Sequence, residues 1–275
     1  MRTEIIFSSI IKFLGLLSSV GITILIIKFD DINGSSTLGL IAYVNAIINL
    51  FLVFSLIGYR MVLAKNISIY LSTKTVELIK PLISGGFIIF FVLFTFSVIL
   101  LYIIQLLFDF IDIDEISLNI IFLAFFIILI VGFSRLYSGA LNGLNKIFIS
   151  NLSDRGLRPI LLIISISFFY LLTGIKIDAA YYYIFYFSSA LFIFLLLFLI
   201  WKNISKHFPS GKFLIKKTHL KMGGNVTLIK FFAIFNSTID IFLLKFFEIP
   251  LSEIGVYSIG VRISSLSIFF NPIIS

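Results

Sequence analysis

The sequence predicts an all-α protein built as a bundle of membrane-spanning helices. Of its 275 residues, 60% are hydrophobic and only 12% are charged, whereas soluble domains carry about 25% charged residues. Apolar runs such as 82–107 and 181–201 exceed the roughly 20 residues that a helix needs to cross the hydrocarbon core. They are apolar on every side, unlike the alternating strands of about ten residues in a membrane β-barrel. This composition excludes a water-soluble enzyme and a disordered chain.

Each expected span is a continuous apolar run that ends at charged or turn-forming residues. We predict spans at 5–27, 38–58, 82–108, 117–134, 157–173, 181–201, 225–247 and 254–275. The connections then form two alternating sets. One set comprises the N-terminus, 59–81, 135–156 and 202–224, and the other comprises 28–37, 109–116, 174–180 and 248–253.

Charge is distributed unequally between these two sets. The first set holds most of the 21 lysines and arginines, and most of the 13 acidic residues lie on the second. The positive-inside rule therefore predicts a multi-pass protein of the cytoplasmic membrane with a cytoplasmic N-terminus. The net charge of +8 indicates contact with anionic phospholipids rather than with nucleic acid.

An internal repeat is visible. IKFLGLLSS at 11–19 aligns with IKFFAIFNS at 229–237, and LGL at 38–40 aligns with IGV at 254–256. The offset of 216–218 residues contains six spans, so both copies have the same orientation, as in parallel-repeat transporters. We expect a six-helix lobe at 1–201, a basic cytoplasmic linker at 202–224 and the first two helices of an incomplete second lobe at 225–275. The repeat predicts truncation from a protein of about 12 spans or more.

Three stretches resemble a known family. They are STLGLIAY (36–43) with IGYR (57–60), SGALNGLNK (138–146) continuing to Arg158-Pro159, and Ile239-Asp240 continuing to EIGVYS (253–258) and VRI (261–263). The family is the polysaccharide-biosynthesis, O-antigen repeat-unit flippase branch of the multidrug/oligosaccharidyl-lipid/polysaccharide superfamily. The resemblance implies a non-enzymatic transporter in the bacterial inner membrane. Its substrate would be an undecaprenyl-pyrophosphate-linked oligosaccharide used for O-antigen (lipopolysaccharide) or capsule, and its partners would include other polysaccharide-assembly membrane proteins.

Ionisable residues inside spans are costly and are candidates for transport. Asp240 and Arg262 have similar depths on adjacent spans, so they could form a structural ion pair or a cavity pair that rearranges during transport. Lys12 and Lys230 occupy matching repeat positions and could snorkel to the headgroups or receive a pyrophosphate. For Arg60 and Arg135, at helix ends, the alternatives are membrane anchoring and first contact with phosphate.

Amide side chains within spans suit a sugar path. Asn45 and Asn49 are one turn apart in the second span, and Asn236 lies in the seventh. Small polar residues also pack membrane helices, as does the Gly139-x-x-x-Gly143 pattern, which we interpret as tight packing or a turn. We expect no catalytic residues, no metal site and no cofactor. A multidrug or cation-coupled exporter of the same superfamily is an alternative, and a membrane oligosaccharide polymerase or glycosyltransferase is a further one.

Overall fold

The structure is a computed structural model. It describes the backbone of residues 2–29, 34–108, 116–151 and 156–274, and the side chains of 10–11, 13–28, 34–103, 105, 116–151 and 156–264. Within these residues the chain is helical and contains no strand, which confirms the all-α prediction. The helices are α1 (Arg2–Phe29), α2 (Gly34–Leu56), α3 (Tyr59–Ser72), α4 (Ile79–Phe108), α5 (Leu118–Gly143), α6 (Ile147–Asn151), α7 (Leu157–Thr173), α8 (Ala179–Ser205), α9 (Lys217–Phe246) and α10 (Leu251–Ile274).

The expected spans correspond to α1, α2, α4, α5 and α7 to α10. Five stretches within the described residues are long and apolar enough to cross a membrane: Gly34–Leu56, Val76–Ile103, Leu118–Gly143, Ala179–Ser205 and Lys217–Phe246. The α2 helix is the most enclosed of these and packs against α1, α4, α5, α8, α9 and α10. The chain is therefore a polytopic membrane bundle organised around α2.

The segment 59–81, expected to be a connection, contains the helix α3. Its buried residues Tyr59, Val62, Leu63, Ile67 and Tyr70 recur at helical spacing and form one apolar face. The charged residues of this helix lie off that face, so the segment is too polar to be recognised as a span. It packs on the bundle at the end where the lysine- and arginine-rich connections lie, which we call the basic end.

Glycines bring helices into close contact at the basic end. A β-carbon added to Gly139 would lie 2.6 Å from the Arg60 carbonyl oxygen, and one added to Gly143 would lie 2.7 Å from the Ile67 β-carbon. These contacts confirm tight packing for the Gly139-x-x-x-Gly143 pattern, because α5 can approach α3 only where side chains are absent.

A second close approach joins α2 and α10 at the opposite end, and it is reciprocal. A β-carbon on Gly39 would overlap the carbonyl oxygen of Leu251, and one on Gly255 would overlap the carbonyl oxygen of Ser35. The pairs 35 and 251, and 39 and 255, are each separated by 216 positions. Reciprocal contacts of this kind are those of a two-fold interface.

Candidate functional site

A polar cavity of about 350 Å³ lies between α1, α2, α7, α8 and α10. Asn45 and Asn49 face it from the central part of α2. Asn45 is eleven residues into this helix, about 16 Å from its start at 1.5 Å per residue. The cavity is therefore near the middle of a spanning helix. Its lining residues are Ser19, Ile22, Asn45, Asn49, Arg158, Pro159, Leu162, Tyr182, Tyr186 and Arg262.

Arg158 contributes one positive charge from the first turn of α7. Its side chain is only 8% exposed, and its Nη1 donates a hydrogen bond to the Tyr186 hydroxyl at 3.4 Å. The guanidinium carbon lies 5.7 Å from the centre of the Tyr186 ring, which allows a cation–π interaction. Tyr186 thus holds the Arg158 guanidinium at the cavity wall.

Arg262 contributes the second positive charge from α10. Its Nη1 donates a hydrogen bond of 2.5 Å to the hydroxyl of Thr23 on α1. Thr23 is buried and donates in turn to the Ser19 carbonyl oxygen at 3.1 Å. This chain of hydrogen bonds links α10 to α1 across the cavity.

The structure gives Asp240 and Arg262 different hydrogen-bond partners, and the ion pair considered for them stays a prediction. Asp240 accepts a hydrogen bond of 2.5 Å from the hydroxyl of Tyr257, whereas Arg262 is directed to Thr23. Their equal depth on adjacent helices did not determine how each helix is rotated about its axis, and therefore not which neighbour each side chain faces. Asp240 joins α9 to α10 through the phenol of Tyr257.

Replacing Thr23 with valine is expected to destabilise the protein, because valine keeps the shape but removes the hydroxyl that accepts from Arg262. A hydrogen bond to a charged group contributes about 1.5–3 kcal/mol. Thermal unfolding of the detergent-solubilised protein should show a lower Tm for Thr23→Val and a nearly unchanged Tm for Thr23→Ser. Equal Tm values for the two variants would contradict this role.

Tyrosine and amide groups form the uncharged polar part of the wall. The rings of Tyr182 and Tyr186 stack with centroids 6.1 Å apart. The Asn45 amide nitrogen approaches the Tyr182 hydroxyl at 3.5 Å, the long limit for a hydrogen bond. Tyr183 donates to the Ile41 carbonyl oxygen at 3.2 Å and thereby fixes α8 against α2. The cavity consequently presents hydroxyl, amide and aromatic groups beside its two cations.

The remaining candidates from the sequence are not part of this lining. Arg60 packs against Gly139 at the crossing of α3 and α5, and Arg135 is half-buried on α5. On α9, Lys230 is half-buried, while Asn236 and Asp240 are exposed. The Lys12 side chain lies outside the described residues. The structure therefore brings together Asn45, Asn49 and Arg262 of the candidate set.

Sequence reasoning missed Arg158, Tyr182 and Tyr186 as site residues. Arg158 entered the sequence analysis only as part of the family resemblance, at the start of its span. The available signal was the concentration of phenols in one apolar span, with Tyr181, Tyr182, Tyr183 and Tyr186 in six positions. Four hydroxyl groups in one membrane helix require polar surroundings.

The cavity wall is cationic, since it carries two guanidinium groups and no carboxylate within the described lining. Guanidinium groups bind phosphate oxygens in a planar, two-pronged geometry. Amides and phenols can exchange hydrogen bonds with hydroxyl-rich molecules. The arrangement suits an amphipathic solute with phosphate and sugar groups.

Comparison with known proteins gives one family. Residues 10–275 match the family model described as "Polysaccharide biosynthesis protein". No curated protein matches the chain, and no solved structure matches it.

Proposed function

Because the chain belongs to the polysaccharide biosynthesis protein family, we propose that it is a flippase for an undecaprenyl-pyrophosphate-linked oligosaccharide of the bacterial inner membrane. The observation that carries this proposal is the cationic cavity at mid-depth in an apolar bundle. To cross the membrane, the lipid's pyrophosphate and sugar headgroup have to pass through the hydrocarbon core, where both are poorly solvated. A polar cavity between membrane helices removes that barrier.

Arg158 and Arg262 are the proposed pyrophosphate ligands. They come from two different helices, α7 and α10, and both line the same cavity, so in this proposal one pyrophosphate contacts both. A positive charge inside a membrane bundle is costly and points to a function. Tyr186 and Thr23 reduce that cost by holding each guanidinium in place.

Tyr182, Tyr186, Asn45 and Asn49 are the proposed sugar-facing groups. Their hydroxyl and amide groups can donate and accept, which matches the mixed hydrogen bonding of sugar hydroxyls. The stacked tyrosines also present an apolar ring surface beside these polar groups. In this proposal the wall binds sugar hydroxyl groups in general, and it therefore accepts a class of oligosaccharide headgroups.

Movement would come from two related halves. The reciprocal contact of Gly39 and Gly255 supports the repeat in which residues 1–201 form one lobe and residues 225–275 belong to a second. In this proposal the lobes rock about the α2–α10 interface, so that the cavity opens to one side of the membrane at a time. Arg262 crosses between the lobes, because it lies on α10 and bonds to Thr23 on α1.

The experiment is a flipping assay in proteoliposomes. The purified chain is reconstituted with a fluorescently labelled undecaprenyl-pyrophosphate oligosaccharide, and the label on the outer face is removed with a membrane-impermeant reagent. The proposal expects labelled lipid from the inner leaflet to become accessible faster than in protein-free vesicles. Accessibility equal to that of protein-free vesicles overturns it, and uptake of cationic drugs by the same vesicles would then favour an exporter.

Orientation provides a separate prediction. With the N-terminus in the cytoplasm, alkaline phosphatase inserted in the connection 174–178 should be active, because that enzyme folds outside the cytoplasm. The same insertion at 209–212, in the lysine-rich connection, should be inactive. The opposite pattern would reverse the topology that the positive-inside rule predicts.

A further inference from the structure

Two adjoining cavities lie between α4, α5 and α8 and share no residue with the cavity described above. One, of about 330 Å³, is at the basic end. The other, of about 510 Å³, lies farther along the same helices. Phe87 and Tyr137 line both cavities, and their rings meet edge to face with centroids 5.0 Å apart, so the two cavities adjoin at this aromatic pair. Each volume falls within the roughly 300–1,000 Å³ of small-molecule sites.

The cavity at the basic end is polar. Lys80 and Ser84, one turn apart on α4, face it together with Ser210, and Trp201 and Tyr137 form its aromatic side. No carboxylate occurs in its described lining. It therefore offers one lysine cation and the hydroxyl groups of Ser84, Ser210 and Tyr137 to an anionic headgroup.

The connection between α8 and α9 is fixed over this cavity. The Leu214 amide donates to the Pro81 carbonyl oxygen at 2.8 Å. A β-carbon added to Gly85 would lie only 2.5 Å from the Leu214 carbonyl oxygen, so this glycine permits the close approach. Ser210 and Gly211 are thereby held beside Lys80 as part of a built site.

The second cavity is almost wholly apolar. Its walls include Ile88, Phe91, Phe133, Phe194 and Phe198. Phe91 is 55% exposed and Phe198 is 38% exposed, so the slot opens on the outer surface of the bundle. In a membrane that surface faces lipid chains.

Headgroup and chain sites lie along one helix face. Lys80, Ser84, Phe87 and Phe91 follow one another at helical spacing on α4, over about 16 Å at 1.5 Å per residue. Beside them, Trp201 stacks on Phe208 with centroids 6.2 Å apart. Tryptophan and tyrosine prefer the membrane interface, which puts Lys80 at headgroup level and Phe91 among the chains.

We propose that the two adjoining cavities bind one anionic diacyl phospholipid, with its phosphate at Lys80 and Ser84 and an acyl chain in the slot along Phe87 and Phe91. Charge complementarity selects an anionic over a zwitterionic lipid, because the polar cavity supplies a lysine without a lining carboxylate. The bound lipid would fasten α4 to α5 and α8 at the basic end. This site is independent of the proposed transport cavity.

The test is native mass spectrometry of the full chain in a non-ionic detergent, titrated with phosphatidylglycerol. One bound lipid is expected to resist collisional removal better than phosphatidylcholine does. Lys80→Gln should weaken its binding about five-fold, the effect of about 1 kcal/mol per lysine at an anionic surface. Lys65→Gln, an exposed lysine of α3 at the same end, is the matched control and should bind like the unaltered protein.

A second variant tests the acyl slot. Ile88→Trp fills the apolar cavity from an exposed position and should weaken phosphatidylglycerol binding. Adding Lys80→Gln to this variant should weaken binding by the same factor as in the unaltered protein. Equal binding by Lys80→Gln and the unaltered protein overturns the site. Glycerol 1-phosphate binding as tightly as phosphatidylglycerol would indicate a phosphate site instead of a lipid site. Preferential binding of undecaprenyl phosphate would assign the two cavities to the transported lipid. Either result overturns the proposal.

Discussion

Replacing Arg158 or Arg262 with glutamine is expected to slow flipping of the pyrophosphate-linked lipid by roughly 30- to 160-fold, the effect of losing about 2–3 kcal/mol of charged hydrogen bonding. Both side chains line the same cavity, and both are positioned by neighbours, Arg158 by Tyr186 and Arg262 by Thr23. Glutamine keeps a polar side chain of medium length but removes the charge. Initial rates in the proteoliposome assay measure the effect.

Conservative and control variants separate a binding role from a folding role. Arg158→Lys keeps the charge but loses the planar donor fork, so an intermediate rate is expected. Lys65→Gln removes an exposed lysine of α3, outside the cavity lining. That variant should flip at the unaltered rate at equal protein amounts. Full activity of the Arg158→Gln, Arg262→Gln double variant would exclude these arginines as pyrophosphate ligands.

Gly255→Ala is expected to lower the stability of the protein by about 1–3 kcal/mol, the usual cost of forcing an extra carbon into a packed contact. The added β-carbon would overlap the carbonyl oxygen of Ser35. A backbone atom cannot rotate away, so α2 and α10 would have to separate. Gly39→Ala should cost a similar amount, because the contact is reciprocal and this β-carbon would overlap the carbonyl oxygen of Leu251.

The matched control for this second prediction is Gly260→Ala on the same helix, where an added β-carbon meets nothing within 4 Å. There the change should be neutral or stabilising by up to about 1 kcal/mol, since alanine favours helix over glycine. Thermal unfolding in detergent compares the three variants. Equal Tm values for Gly255→Ala and Gly260→Ala would rule out a close α2–α10 contact.

Much of the architecture could be predicted from composition and hydropathy. Spans such as Leu118–Gly143 follow from long apolar runs, because the energy of placing a segment in lipid is a sum over its own residues. The helix α3 escaped this reasoning, since its stability comes from one apolar face packed on neighbours. Its contact with Gly139 and Gly143 explains why those glycines occur four residues apart.

The lining of the polar cavity could be predicted only in part from the sequence. Asn45 and Asn49 could be grouped because four residues separate them on one helix. Arg158 could not be assigned to the same cavity, because its contact with Tyr186 depends on how α7 and α8 pack. Asp240 and Arg262 show a further limit, since their equal depth did not predict their hydrogen-bond partners Tyr257 and Thr23.

The sequence by itself thus determined the fold class and five of the spans, because these depend on local sums of hydrophobicity. It also predicted the repeat, from similarity along the chain. Only the tertiary structure decided which polar side chains share a cavity. A rise of about 1.5 Å per residue gives the depth of a side chain along its helix. The rotation and tilt of that helix, which direct Arg262 to Thr23 and Arg158 to Tyr186, are set by packing against the other helices.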